Sequence, residues 1–165
     1  MLGVDGPWNS QDDMLDESIK YISCNLENIS SLKIERKFDL AMSVEVAEHL
    51  QPSATEDFID KLCKLSDVVM FSAAYKGQGG LSHKNERLHS EWASFFLKRE
   101  YLVYDIFRPM VWGNSKVKWW YQQNIFLYVK KGSELDEKFQ RSGLFPVFNV
   151  DFVNCVHSTL YAERN

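Results

Sequence analysis

The segment Phe38 to Val44, reading Phe-Asp-Leu-Ala-Met-Ser-Val, constrains the fold most, because it is too continuously apolar for a strand with one wet face. Such a run belongs in the middle of a parallel sheet covered on both sides, and ligands of these sheets bind beyond the strands' C-terminal ends. Directly after it come Glu45, Val46, Ala47, Glu48 and His49. Ser43, Glu45, Glu48 and His49 are therefore expected to line a crevice, and Glu45, Glu48 and His49 share roughly one face if the chain from Val44 onward is helical. Asp67 to Ala74 is a second continuous buried run. Between the two, Phe58, Ile59, Leu62 and Leu65 recur at helical spacing behind Ser53 and Glu56, the spacing of a capping box. A further helix is expected around His89 to Arg99. Strand, helix, strand, helix is an α/β order.

Composition narrows the function. With 165 residues, 45% of them hydrophobic and 14% aromatic, the chain can bury one sound core. A formal net charge of −4 with scattered basic residues argues against broad nucleic-acid binding. No apolar run approaches the ~18 residues that span a bilayer, and Met1 to Trp8 lacks the features of a signal peptide, so no membrane association and a cytoplasmic location are expected. Cys24, Cys63 and Cys155 are odd in number and widely separated, which predicts reduced thiols and neither disulfides nor a thiolate metal site.

The remaining elements follow from local pattern. Leu2 to Asp5 and Ile22 to Cys24 read as short strands, with an exposed short helix or loop over Gln11 to Tyr21. Tyr101 to Phe107 and Asn124 to Lys130 are aromatic and β-branched runs, joined by a connector that holds Pro109, Gly113, Trp119 and Trp120. Beyond Gly132 a short helix over Ser133 to Arg141 precedes a Phe-rich, irregular tail. The division implied is an α/β domain over 1–131 and an extension over 132–165 packed on it.

Several of these segments resemble class I S-adenosylmethionine-dependent methyltransferases. Phe-Asp-Leu followed by Ser-x-Glu-Val-x-Glu-His-Leu is similar to that family's fourth-strand segment, beside which the cofactor's methionine end lies. Leu2-Gly3-Val4-Asp5-Gly6 resembles its second strand, whose terminal acid grips the ribose diol, and Ser23-Cys24-Asn25-Leu26 resembles the end of its third strand, where many members hold the adenine amino group with an Asp. Here the residue is Asn25, whose carbonyl oxygen can accept that bond without charge assistance. Gly77-Gln78-Gly79-Gly80-Leu81-Ser82-His83-Lys84-Asn85-Glu86 is similar to a loop of one subgroup, in which an aromatic helix and an Arg-Pro-x-x-Trp connector recur; Trp92 and Arg108 to Trp112 match these. The resemblance runs from Leu2 to about Val129. It implies a Rossmann-like sheet with helices on both faces, closed by an antiparallel strand pair, with S-adenosylmethionine as cofactor and a small-molecule or sugar-type methyl acceptor. It implies cofactor contacts by Asp5, Gly6, Asn25, Leu26, Ser43, Glu45 and Val46, and acid–base work by His83 and His49.

The resemblance also exposes an absence. The family's first strand and its Gly-rich turn, which lie centrally between strands two and four, have no counterpart before Asp5. Unpaired edges invite rearrangement or association. The expectation is that the sequence is the C-terminal part of a longer protein; the alternatives are strands that close up into a modified sheet and a partner that supplies the missing piece.

Each candidate has a plainer reading. Asp5-Gly6-Pro7 is turn chemistry on any fold. His83, Asn85 and Glu86 can simply tether their loop, His49 can belong to an ordinary exposed Glu-His pair, and Trp119, Trp120 and Tyr121 can cover the end of the sheet. His83, Glu86 and His89 fall within seven residues but lack the His-Glu-x-x-His pattern, so no metal is expected. The alternative at the level of function is a catalytically silent methyltransferase-like module used for protein interaction.

Overall fold

The computed structural model describes residues 1–164. β1 (Leu2–Asp5) and β2 (Lys20–Ser23) form a two-stranded parallel sheet, with Leu2 opposite Lys20 and Asp5 opposite Ser23. A four-stranded sheet follows in the order β3-β4-β6-β5, from β3 (Ala41–Val44), β4 (Val68–Ser72), β5 (Tyr101–Tyr104) and β6 (Phe126–Lys130). β3 and β4 are parallel, and β6 runs antiparallel to both β4 and β5, so the sheet is mixed. Among the described residues nothing pairs β1 with β3. The two sheets do not close up across the gap.

The core sits where apolar faces of helices meet the larger sheet. α1 (Thr55–Leu65) buries Phe58, Ile59 and Leu62, and α2 (His89–Leu97) buries Trp92, Ala93 and Phe96. Phe71 of β4 meets Trp92 and Phe96 at ring-centroid distances of 5.3 Å each, and Phe96 stacks on Tyr128 of β6 at 3.8 Å. On the other face, Tyr104, Leu127 and Val129 pack with Phe139 and Leu135 of α5 (Glu134–Arg141), whose N-cap Ser133 accepts from the Asp136 amide. Between β5 and β6 the connector winds into two short helices, α3 (Phe107–Val111) and α4 (Trp119–Asn124).

Several expectations are corrected. Ser53 does not cap α1: Pro52 begins a 3₁₀ turn over Pro52–Ala54, which moves the helix start to Thr55 and makes Ala54 the cap residue, without a side-chain bond. The strand predicted through Phe107 stops at Tyr104, and Phe107 begins α3 instead. Lys20–Ser23, rather than Ile22 to Cys24, forms β2, and only Gln11–Asp13 of the preceding stretch is helical, as a 3₁₀ turn. The tail is not irregular throughout: a 3₁₀ turn over Val150–Val153 buries Val153, and α6 (Ser158–Arg164) buries Leu160. Finally, Phe38 to Val44 is not buried on both faces, since Leu40 and Met42 are 41% and 58% exposed.

Between β1 and β3 lies a cavity of about 580 Å³. Leu2 and Val4 line one side, Ala41, Met42 and Ser43 the other, and Phe58, Leu62 and Leu65 of α1 form part of its wall. It is an apolar slot between two sheet edges, one of which carries the buried Ser43 Oγ without a hydrogen-bond partner among the described residues.

Candidate functional site

The site begins where β3 ends. Val44 is followed by Glu45 at φ +52°, a left-handed conformation that a non-glycine residue adopts at a cost and that is common where a functional side chain is aimed. The Glu45 amide still donates to the Ser72 carbonyl (3.1 Å), so β3 and β4 stay zipped up to that point. The chain then makes a 3₁₀ turn over Ala47–His49, not the α-helix that a shared face presupposes. A tight turn, therefore, gathers Glu45, Glu48 and His49.

The Gly-rich loop closes over this turn. The Lys84 and Asn85 amides both donate to the Glu48 carbonyl, at 2.8 and 3.0 Å, and Asn85 Nδ2 donates to Thr55 Oγ1 at 2.9 Å. Glu86 holds the loop together: its carboxylate accepts from the Gly77 amide (2.9 Å), the Gly79 amide (2.7 Å) and His83 Nδ1 (2.8 Å). Asn85 and Glu86 are thus tethers, in accord with the plainer reading of those two residues. His83 is tethered as well, yet the same bond sets its tautomer, because a carboxylate partner keeps the proton on Nδ1 and leaves a lone pair on Nε2. Gly80, at φ +151°, lies under that ring: a Cβ there would stand 2.4 Å from His83 Cε1. Ser82, beside it, is a second non-glycine residue with positive φ, at +60°.

These two segments bring His49 and His83 together with their ring centroids 4.9 Å apart, edge to face. One ligating atom each from Glu48, His49 and His83 lies within 4.8 Å of the other two. Glu48 is fully buried, and neither of its carboxylate oxygens has a hydrogen-bond partner among the described residues. Burial, reinforced by the charge of Glu45, pushes the Glu48 carboxyl up to about 8, against some relief from the nearby Glu48 and Ala74 amides. Glu45 is raised too, by burial ahead of its hydrogen bonds. His49 is held below its ordinary value by burial and then by the charge of His83.

Glu45 connects this cluster to a buried amide network. Asn124 Nδ2 donates to Gln78 Oε1 (2.9 Å) and to Glu45 Oε1 (3.2 Å), and Gln123 Nε2 donates to Asn124 Oδ1 (3.0 Å). His89 lies on the far side of that network, with Nε2 3.0 Å from Asn124 Oδ1 and Nδ1 3.0 Å from the Val153 carbonyl. The tail is tied in by Arg108, which donates to Val153 as well and pairs with Asp105, and by the His157 amide, which donates to Gln123 Oε1 at 2.7 Å. His89 is spoken for by this structure and does not join His83 and Glu86 in a metal-binding group among the described residues. The sequence places Gln78 in the Gly-rich loop and Asn124 at the start of a strand, and gives neither of them, nor Gln123, a role at the site. The one available signal is three consecutive amides, Gln122 to Asn124, inserted in an aromatic run before a buried strand.

The other predicted contacts lie on other elements. Asp5 ends β1, and its carboxylate accepts from the Gly6 amide and Asn9 Nδ2 at 2.7 Å each. Gly6 is pressed under the Trp8 indole, where a Cβ would meet the ring at 2.1 Å. Asn25 caps the 3₁₀ turn that follows β2 by accepting from the Glu27 amide at 3.0 Å. Leu26, Ser43 and Val46 line the cavity between the sheets. Trp119 and Trp120 are only half-buried, forming an aromatic group in which Trp119 and Trp112 approach His157 at 6.2 and 5.0 Å.

No protein-family model matches this chain, and neither a curated protein nor a solved structure matches it. No helix among the described residues is long and apolar enough to cross a membrane.

Proposed function

We propose that this chain carries most of a class I S-adenosylmethionine-dependent methyltransferase domain acting on a small-molecule or sugar-type acceptor, its sheet completed by one more strand from an N-terminal segment or a partner. The observation that carries this reading is the strand order. With the gap included it runs β2-β1-gap-β3-β4-β6-β5, and only β6 is reversed within the larger sheet. That is the order the family resemblance implies when its central first strand is left out, and the apolar slot with its unpaired Ser43 hydroxyl lies at the corresponding place.

The residues present fit the cofactor. A carboxylate offers about four acceptor positions, so Asp5, with two filled by Gly6 and Asn9, retains capacity for a ribose diol. Asn25 keeps a second lone pair on Oδ1 for an adenine amino group, and Leu26 and Val46 are apolar surfaces for its ring. Glu45, aimed by its strained backbone, faces the methionine end. The cofactor supplies an electrophilic methyl on a sulfonium, and transfer then depends chiefly on holding the acceptor in line. His49 and His83, beyond the end of β3, are the acceptor-facing pair.

Calorimetry tests this on two proteins: the 165-residue chain, and the same chain extended N-terminally by a strand and Gly-rich turn. Weak or absent S-adenosylmethionine binding by the first and clear binding by the second are expected. No binding by a folded, extended protein overturns the reading.

A further inference from the structure

We propose that Glu48, His49 and His83 form a binding site for a first-row divalent transition metal, with Glu86 as the outer partner that orients His83. The argument starts from the donor atoms. Two imidazole nitrogens and one carboxylate oxygen stand within 4.8 Å of one another, drawn from the turn after β3 and from the Gly-rich loop. With metal–ligand bonds of about 2.1 Å, two donors on one ion stand about 3.0–3.4 Å apart, so closing the cluster takes side-chain shifts on the order of 1 Å. Two such imidazoles with one carboxylate suit manganese, iron, cobalt or zinc better than magnesium or calcium, which favour all-oxygen sites.

The second observation is Glu48 itself. A fully buried carboxylate whose oxygens have no well-formed hydrogen bond among the described residues, only the nearby Glu48 and Ala74 amides, has lost its hydration for little in return, which costs on the order of several kcal/mol unless a cation or proton compensates it. Most buried polar side chains are satisfied, so an orphan of this kind calls for a specific explanation. A cation bridging Glu48 to the imidazoles supplies one.

The third is the arrangement around His83. Its Nδ1 donates to Glu86 Oε1 at 2.8 Å, the carboxylate–histidine pairing that orients a metal-binding imidazole. Glu86 is in turn held by two backbone amides, and Gly80 leaves room for the ring. His49 is exposed, so the cluster opens to solvent on one side and leaves coordination positions for water or an acceptor oxygen. Metal binding stands independently of the methyl-transfer reading; only its use, lowering the pKa of an acceptor hydroxyl, rests on that reading.

Calorimetric titration of the full chain with manganese(II) or zinc(II) chloride, with no cofactor present, tests the site. One equivalent is expected to bind, with a visible d–d spectrum on cobalt(II) substitution that lacks thiolate charge-transfer bands. Glu48→Gln, which keeps the shape and removes the buried charge, should fold at least as well as the parent and lose binding by about 100-fold, and Glu86→Gln should weaken it by about ten-fold. Absence of binding to the folded parent, unchanged affinity in Glu48→Gln, or a thiolate spectrum overturns the proposal. Metal binding by the chain, with no S-adenosylmethionine binding by the folded, N-terminally extended protein, would sink only the methyltransferase reading; cofactor binding by the extended protein without metal binding would sink only the metal site.

Discussion

β3 and β4 are neighbours in one sheet and both come from continuous apolar runs, yet they end in opposite environments. Val69 and Phe71 of β4 are 0% and 1% exposed, sealed between α1, α2 and the strands on either side. Met42 of β3 is 58% exposed, and its outer edge borders a cavity. The difference is not in the residues, since Ala41, Ser43 and Val44 suit a buried strand as well as Val69 and Phe71 do. It lies in what stands beside them. Among the described residues β4 has partners on both edges, whereas β3 has one, and β1 across the slot likewise has only β2. On the reading proposed above β3 is a central strand left as an edge, and an apolar edge is a template for pairing.

That contrast can be broken by substitution. The largest effect belongs to the sealed side, where Trp92→Ala empties space among Phe71, Phe95 and the Arg87 guanidinium and should lower unfolding free energy by about 3–5 kcal/mol in a urea titration. A loss under 1 kcal/mol there would mean that the core is not built as described.

Acid sharpens it next. Burial lowers His89 to about 4, well below the 6.5 of a free imidazole. The unfolded chain therefore binds a proton in that window and the folded chain does not, so stability is full above pH 6.5 and declines as pH falls toward 4, by about 1.4 kcal/mol per pH unit at most. Replacing His89 with Gln should flatten that part of the profile. An unchanged slope would assign the acid sensitivity elsewhere.

Asp5→Ala addresses the slot side. In the extended, cofactor-binding protein it should weaken S-adenosylmethionine about ten-fold, or about 1.4 kcal/mol, measured by calorimetry. No change would return Asp5 to a purely local role in its turn. The smallest effect is expected at the open edge of β3: Met42→Ser should change stability of the 165-residue chain by no more than about 0.5 kcal/mol, because that side chain is already in water. A loss comparable with that of Trp92→Ala would show that the slot is closed in solution.

How far all this is legible in the sequence depends on whether a property is local. The strands and α1 announce themselves through β-branched runs and helical spacing, which belong to the segments that form them. The exposure of Met42 does not, because it depends on what packs against β3 from elsewhere in the molecule. At the start of α1, Ser53 has the spacing of a cap, but Pro52 favours a 3₁₀ turn and takes the helix start past it. At the site, the cluster of Glu45, Glu48 and His49 is visible as consecutive polar residues after a buried run, while its joining to His83 depends on the Gly-rich loop folding back over Glu48. The role of His89 was hidden for the opposite reason, since its partners Asn124 and Val153 are far away in sequence.

Hydrogen exchange across the two edges bears most directly on the central claim that β1 and β3 flank the place of a strand. In the 165-residue chain, amides of β4 and β6 should be strongly protected, and those of Leu2–Asp5 and Ala41–Val44 with outward-facing N–H groups should exchange rapidly. Joining a strand and Gly-rich turn to the N-terminus should slow exchange in both edge segments together. Protection gained at neither edge of the extended protein, or at only one, would contradict the account.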